Sequence, residues 1–358
     1  MSAGGVNRDF WKGRRVFLTG HTGFMGGWLA AWLARLGARV TGYALKPPTD
    51  PSFFEAFGVA KLVDSKIADV RDLPALAAAL RAAKAEIVMH LAAQPLVRQG
   101  YAEPVETFST NVMGTVHLLE AMRACPSVAA AVIVTSDKVY DNREQPRGYR
   151  EHDVLGGREP YGASKACTEI VVRAYRDSFF DGGTGRIGIA TARAGNVIGG
   201  GDWAKDRIVP DAVRAFSEHR PLLIRNPHAT RPWQHVLEPL RGYLMLAERL
   251  MAEPARWSGG WNFGPAPSDA RPVSWIADEI AAIWGEGACW HPVNGTSVYE
   301  AKLLSIDIAK AESELGWHPA WPVERAAAAT VDWYKGHLRR GDAGRLTHSQ
   351  IEAYEHDC

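Results

Sequence analysis

Tyr161 and Lys165 bracket the stretch Tyr161-Gly-Ala-Ser-Lys165. On a helix that spacing puts both side chains on one face. An ammonium beside a phenol lowers the phenol's pKa from about 10 towards neutrality. The phenolate can then take a hydroxyl proton while hydride leaves the same carbon. Upstream, Ala131-Val-Ile-Val-Thr-Ser136 reads as a buried strand running into Asp137-Lys138. The carboxyl end of a parallel strand is where ligands bind in an open α/β sheet. A hydroxyl, an acid and an amine side by side there suit proton transfers. The plain alternatives are a surface helix pair for Tyr161 and Lys165, and an exposed turn for Asp137-Lys138.

A third constellation is Gly20-His-Thr-Gly23-Phe-Met-Gly26, which follows a short apolar run and opens a helical pattern. Glycines let the backbone turn tightly and approach a pyrophosphate, and a helix N-terminus supplies free N–H groups and positive dipole character. Gly182, Gly185 and Gly188 repeat the spacing. That copy precedes a strand instead of following one, so it fails the context the motif requires. The expected cofactor contacts are Gly20, Gly23, Phe24, Met25 and Gly26, then Asp69 and Val70, then Leu91, Ala92 and Ala93, joined by Tyr161 and Lys165. An acid at the end of the second strand would bind the adenosine ribose of NAD. Tyr43-Ala-Leu-Lys46 offers none there; Lys46 is either a 2′-phosphate contact, which would favour NADP, or a solvated loop lysine. Asp69 is a candidate for the adenine amino group or a simple cap.

These groups need a scaffold. Strand patterns fall at Arg15–Thr19, Ala38–Leu45, Lys66–Asp69, Glu86–Leu91, Ala130–Ser136 and Arg186–Ala192. Helical patterns fall at Phe24–Leu36, Leu73–Ala83, Val105–Arg123 and Tyr161–Phe180. The alternation predicts an α/β protein with a Rossmann-type doubly wound parallel sheet. Beyond residue 200 the elements shorten and Pro, Gly and Trp become frequent, as in a smaller C-terminal substrate-binding lobe. The expected division is 10–195 for the dinucleotide-binding domain with the catalytic groups, 196–345 for the lobe, and 346–358 for a polar tail. Two domains also suit 358 residues at about 150 per domain.

Composition narrows the function classes. A net charge of +1 argues against a general nucleic-acid binder or a protein held to membranes by charge. No window approaches eighteen uninterrupted apolar residues, so no membrane span is expected. The first residues lack the apolar stretch of a signal peptide. Cys125, Cys167, Cys289 and Cys358 are far apart, which fits reduced thiols in the cytoplasm. There is no His-Glu-x-x-His or paired Cys-x-x-Cys, and no metal is expected. His21 reads as a loop residue, His235 as a group behind the site, and Cys167 as packing.

With these residues in hand, the chain resembles the extended short-chain dehydrogenase/reductase family over roughly residues 10 to 340. The stretches that carry the resemblance are Gly20-His-Thr-Gly-Phe, Ala92-Ala-Gln-Pro-Leu-Val-Arg98, Thr110-Asn-Val-Met-Gly-Thr115, Thr135-Ser-Asp-Lys138, Arg193-Ala-Gly-Asn-Val-Ile-Gly-Gly-Gly-Asp-Trp203 and Arg231-Pro-Trp-Gln-His-Val236. The Ser-Asp-Lys triplet is similar to that of the branch acting on CDP-glucose; relatives acting on dTDP-glucose carry Thr-Asp-Glu. The resemblance implies tightly held NAD, regenerated each turn, and a 4,6-dehydration of a nucleotide sugar, a step towards deoxy sugars. Tyr161, with Ser136 and Lys165, would oxidise C4. Lys138 would be the base at C5 and Asp137 the acid at C6. An amine is a base only where burial and nearby positive charge disfavour its ammonium form. Met25 departs from the family, which usually has Lys there. For the substrate, Arg231 and Arg207 are the expected phosphate ligands, since guanidinium meets phosphate in a fork, with Asn196 and Gln94 nearer the sugar. Trp203, Trp233 and Trp261 either frame the base or fill the core. The family also implies a homodimer or dimer of dimers. The rival readings are a dehydratase or epimerase for another nucleotide sugar, and a non-catalytic NAD-binding regulator.

Overall fold

The computed structural model describes residues 5–180, 187–293, 299 and 301–358. Gly182, Gly185 and Arg186 lie outside them. Twelve strands succeed one another among the described residues: β1 (Arg15–Thr19), β2 (Arg39–Ala44), β3 (Asp64–Ile67), β4 (Ile87–His90), β5 (Ala130–Val134), β6 (Gly188–Ala194), β7 (Asn196–Ile198), β8 (Leu222–Ile224), β9 (Thr230–His235), β10 (Gly259–Phe263), β11 (Ala270–Pro272) and β12 (Trp290–Pro292). Seven make the main sheet, in the order β10-β6-β5-β4-β1-β2-β3. Every pairing within it is parallel. The strand order reverses at β1, which lies between β2 and β4. A crevice at the carboxyl ends of strands opens at such a switch point, and the Gly20 loop leaves β1 into it.

The expected α/β doubly wound sheet is therefore present, with one strand more than its six sequence patterns. β10 reads Gly-Gly-Trp-Asn-Phe, without a β-branched residue, and pairs with β6 across the gap between the two halves of the chain. β3 lies two residues earlier than expected, because an edge strand with mostly exposed residues carries no apolar signature. β6 also runs later, to Ala194, and β5 stops at Val134, which frees Thr135 and Ser136 to form the turn beyond it.

Helices cover both faces of the sheet. Phe24–Arg35 turns Trp28, Leu29, Trp32 and Leu33 inward. The helix expected over Val105–Arg123 starts at Pro104 and passes through a π turn, Ser109–Met113, before Gly114–Arg123. At that turn the carbonyl of Asn111 accepts from the hydroxyls of Thr115 at 2.7 Å and Thr168 at 3.0 Å. π turns of this kind commonly mark functional sites. Residues 346–358 are no loose tail. All but Cys358 belong to helix Ala343–Asp357, which buries Ile351 and Tyr354. The Tyr354 hydroxyl donates to the buried Glu238 at 2.6 Å, and Trp32 donates to Glu355 at 2.9 Å. Among the described residues no helix is long and apolar enough to cross a membrane.

Candidate active site

A cavity of about 1350 Å³ lies over the carboxyl ends of β1, β4, β5 and β6 and extends between the two halves. It is lined by Gly20, Gly23, Phe24, Met25 and Gly26, by Asp69, Val70, Leu91, Ala92 and Ala93, and by Ser136, Asp137, Lys138, Tyr161 and Lys165. Asn196, Arg207 and Arg231 line the same space. Gln94 does not. Its amide donates to Thr107 at 2.8 Å and accepts from the backbone of Leu96 at 2.6 Å, which shapes the loop after β4.

The glycine loop is built for close approach. Gly20 has φ +81°, and a Cβ on it would fall 2.7 Å from the backbone nitrogen of Ala92. A Cβ on Gly26 would stand 2.1 Å from the carbonyl oxygen of Gly20, so only glycine lets the helix pack against the strand end. Gly23 differs: its Cβ would meet only the Gly20 oxygen, at 3.4 Å. The protein itself leaves room there, on the cavity wall at the N-cap of Phe24–Arg35. No acid stands in the first turn of that helix. A bare backbone facing free N–H groups fits a dinucleotide pyrophosphate.

The fork of Arg71 orients Asp69, with its Nε at 3.0 and 2.9 Å from the two carboxylate oxygens. That guanidinium holds the carboxyl below its usual range. Arg71 was not among the sequence candidates; its place two residues after Asp69 was the available signal. His21 is buried and packs its ring against Gly42, where a Cβ would come within 2.5 Å of the imidazole. Burial lowers its pKa to about 4, a structural setting. His235 is also buried, between the rings of Trp28 and Trp321, and does not line the cavity. Of the three tryptophans singled out, Trp203 and Trp233 line the cavity, while Trp261 is core, stacked on Trp257.

Two elements carry the candidate catalytic groups. Helix Pro160–Tyr175 starts with Pro at its first position, and the Glu159 carboxylate accepts from the N–H groups of Tyr161 and Gly162, each at 2.8 Å. That cap fixes where Tyr161 begins the helix. Lys165, one turn on, donates to the carbonyl of Val134 at 3.0 Å, tying the helix to the end of β5. Burial lowers Lys165 to about 8. Facing them is the short turn Asp137–Val139, capped by Ser136, whose hydroxyl oxygen accepts from Lys138 N at 3.2 Å. The Ser136 hydroxyl also bonds Asp137 Oδ1 at 3.0 Å. Asp137 Oδ2 is buried without a hydrogen-bond partner. Burial pushes the Asp137 carboxyl up, which favours its protonated, donating form.

Burial holds Tyr161 up at about 12, opposed by its bond with Ser136 and by the Arg207 charge.

Arg207 is held by Asp202 at 2.9 Å, and Arg231 donates to the Thr230 carbonyl at 2.9 Å. The cavity rim also carries Arg98, Arg158, Arg214 and Arg225. Arg98 ends the stretch Ala92–Arg98, whereas Arg158, Arg214 and Arg225 stand in none of the quoted stretches and join it only in the fold.

Known proteins are similar to this chain in sequence and fold. The CDP-glucose 4,6-dehydratase of Salmonella typhimurium is 49% identical over 98% of this chain and 98% of its own. The UDP-glucuronic acid 4-epimerase of Bacillus cereus, solved with UDP-glucuronic acid and NAD, superposes with a TM-score of 0.78 at 22% identity, covering 90% of this chain and 99% of that one. The dTDP-glucose 4,6-dehydratase of Bacillus anthracis, solved with NAD, gives a TM-score of 0.74 at 18% identity, covering 92% and 98%. The model of the NAD dependent epimerase/dehydratase family matches residues 16–258. The chain belongs to that family.

Proposed function

We propose that this protein is a CDP-glucose 4,6-dehydratase, converting CDP-D-glucose to CDP-4-dehydro-6-deoxy-D-glucose and water. The observation that carries the reading is the meeting of Ser136-Asp137-Lys138 with Tyr161 and Lys165 on one cavity wall. The kinship of 49% to the Salmonella enzyme supports CDP-glucose as the substrate.

The Gly20–Gly26 loop, Asp69, Val70, Leu91, Ala92 and Ala93 would hold NAD. When bound, NAD supplies a hydride acceptor for C4 of the sugar and a hydride donor for C6. The protons are handled by the chain. Tyr161, as a phenolate that its bond with Ser136 favours, takes the proton of the C4 hydroxyl and becomes the neutral phenol. The resulting ketone acidifies the C5 proton, which Lys138 removes. Asp137 protonates the C6 hydroxyl, and water departs. Lys138 returns its proton to C5 as C6 is reduced. Tyr161 then carries one proton more than at the start and Asp137 one fewer. Ser136, bonded to both, is placed to pass it back, so the cycle closes without net change. Arg207 and Arg231 would meet the substrate pyrophosphate, and Asn196 a phosphate or sugar oxygen.

The test is turnover of CDP-, UDP- and dTDP-glucose in parallel, followed by mass spectrometry. Loss of one water from CDP-glucose, at least tenfold faster than from the other two, is the expected outcome. Preference for either of the others would move the chain to a sister activity.

The assembly is read as a homodimer or a dimer of dimers. Val105, Phe108 and Met113 on the rod from Pro104 to Arg123 and Ile170 on helix Pro160–Tyr175 are exposed apolar side chains on neighbouring helices, which supports a contact there. Light scattering should give at least twice the chain mass. A cytoplasmic setting suits the four free cysteines.

A further inference from the structure

Behind the reactive turn lies an ion pair that none of the steps above uses. Glu169 and Arg193 are both buried, at 5% and 4% exposure. Glu169 sits one helical turn beyond Lys165 on helix Pro160–Tyr175, and Arg193 is near the end of β6. The carboxylate is saturated. Its Oε1 accepts from the Thr135 hydroxyl at 2.6 Å and Arg193 Nε at 2.9 Å. Its Oε2 accepts from the Thr191 hydroxyl at 2.7 Å and Arg193 Nη2 at 2.8 Å. The guanidinium reaches further, donating from Nη1 to the Tyr140 hydroxyl at 2.8 Å. Tyr140 in turn donates to Asn262 of β10 at 2.7 Å.

The positions of those partners matter. Thr135 immediately precedes Ser136-Asp137-Lys138, and Tyr140 follows it after one residue. The pair therefore grips both ends of the reactive turn and anchors them to the helix that carries Tyr161 and Lys165. We propose that Glu169 and Arg193 are positioning residues that hold the Ser136-Asp137-Lys138 turn in register with Tyr161 and Lys165. Glu169 has a second, electrostatic effect. It is the carboxylate that favours the ammonium of Lys165 against the cost of burial. His90 on β4 also faces Lys165, whose charge helps keep it neutral, and Tyr161 stands one turn back on the same helix. A buried pair of this kind is a costly way to gain stability alone. Its placement on both flanks of the turn is what a positioning role requires.

The two threonines give an internal control. Thr135 and Thr191 make nearly equal bonds to Glu169, but only Thr135 leads into the turn. In the NAD-loaded enzyme, Thr135→Val is expected to lower kcat about tenfold to a hundredfold with KM held within about threefold. Thr191→Val should change kcat by less than about threefold. Glu169→Gln should move the alkaline limb of the kcat–pH profile to lower pH, because the Lys165 ammonium loses its counter-charge. Equal kcat for the two threonine variants would overturn the proposal, even if Glu169→Gln fails to fold, and so would an unmoved limb in a folded Glu169→Gln enzyme. The kinetic readout rests on the dehydratase reading. Absence of CDP-glucose turnover in the unsubstituted enzyme would count against that reading, whereas normal turnover with matched threonine variants would count against the positioning pair alone.

Discussion

Replacing Tyr161 with Phe is expected to cut kcat for CDP-glucose by about 10²- to 10⁴-fold, the range general acid–base groups contribute. The substitution removes one oxygen and keeps the ring, which is buried under the cavity wall. Ser136 retains its bond to Asp137, and the Glu159 cap at the backbone of Tyr161 is untouched. Binding of CDP-glucose and NAD should therefore stay within about threefold, so the loss falls on kcat and not on KM. The pH dependence carries a sign as well. Burial raises the phenol to about 12 and so favours its neutral form, which cannot accept the C4 proton. Wild-type activity should rise with pH through the range in which the loaded site ionises Tyr161, and that limb should vanish in Tyr161→Phe. A variant with turnover within about tenfold of wild type would refute the role of the phenol.

The second large effect is expected at the turn. Lys138→Met keeps a long apolar stem and removes the amine. C4 oxidation would still be open to Tyr161, but the C5 proton would have no base. Product formation should fall about 10²- to 10⁴-fold. In heavy water, material recovered from the variant should carry no deuterium at C5, whereas wild-type product should carry it there. Asp137→Asn is the companion. Its buried Oδ2 has no protein partner, so the change leaves no bond broken around it. Its loss should lie in water departure, with C5 exchange continuing. A Lys138→Met enzyme with an unchanged pH–rate profile, or one that still exchanges C5, would remove Lys138 from the role of base.

Much of this arrangement was legible from residue order. The Gly20, Gly23, Gly26 loop and the Tyr161, Lys165 pair are local motifs, in which chain spacing alone sets geometry. So are strand and helix patterns that bury one face. What stayed hidden depends on contacts between distant segments. β10 carries no β-branched residue and becomes a strand by pairing with β6. Gln94 looked like a sugar contact from its place after β4, but Thr107 and Leu96 claim its amide. The high pKa of Tyr161 follows from burial, which the spacing to Lys165 does not encode. The tail helix read as polar because only a few positions, Ile351 and Tyr354 among them, face the core. Net charge of +1 likewise concealed a cavity lined by many arginines, several of them paired with Asp202, Asp206 and Asp211 of the same lining.

The central claim is that one cavity oxidises C4, expels water across C5 and C6, and reduces C6 on the same sugar. Turnover of CDP-glucose deuterated at C4, followed by mass spectrometry and assignment of the label, tests it most directly. The account predicts a product lighter by one water that keeps the deuterium, now at C6, with no crossover when labelled and unlabelled substrates are mixed. Deuterium lost to solvent, or a labelled sugar inverted at C4 with no water lost, would contradict it.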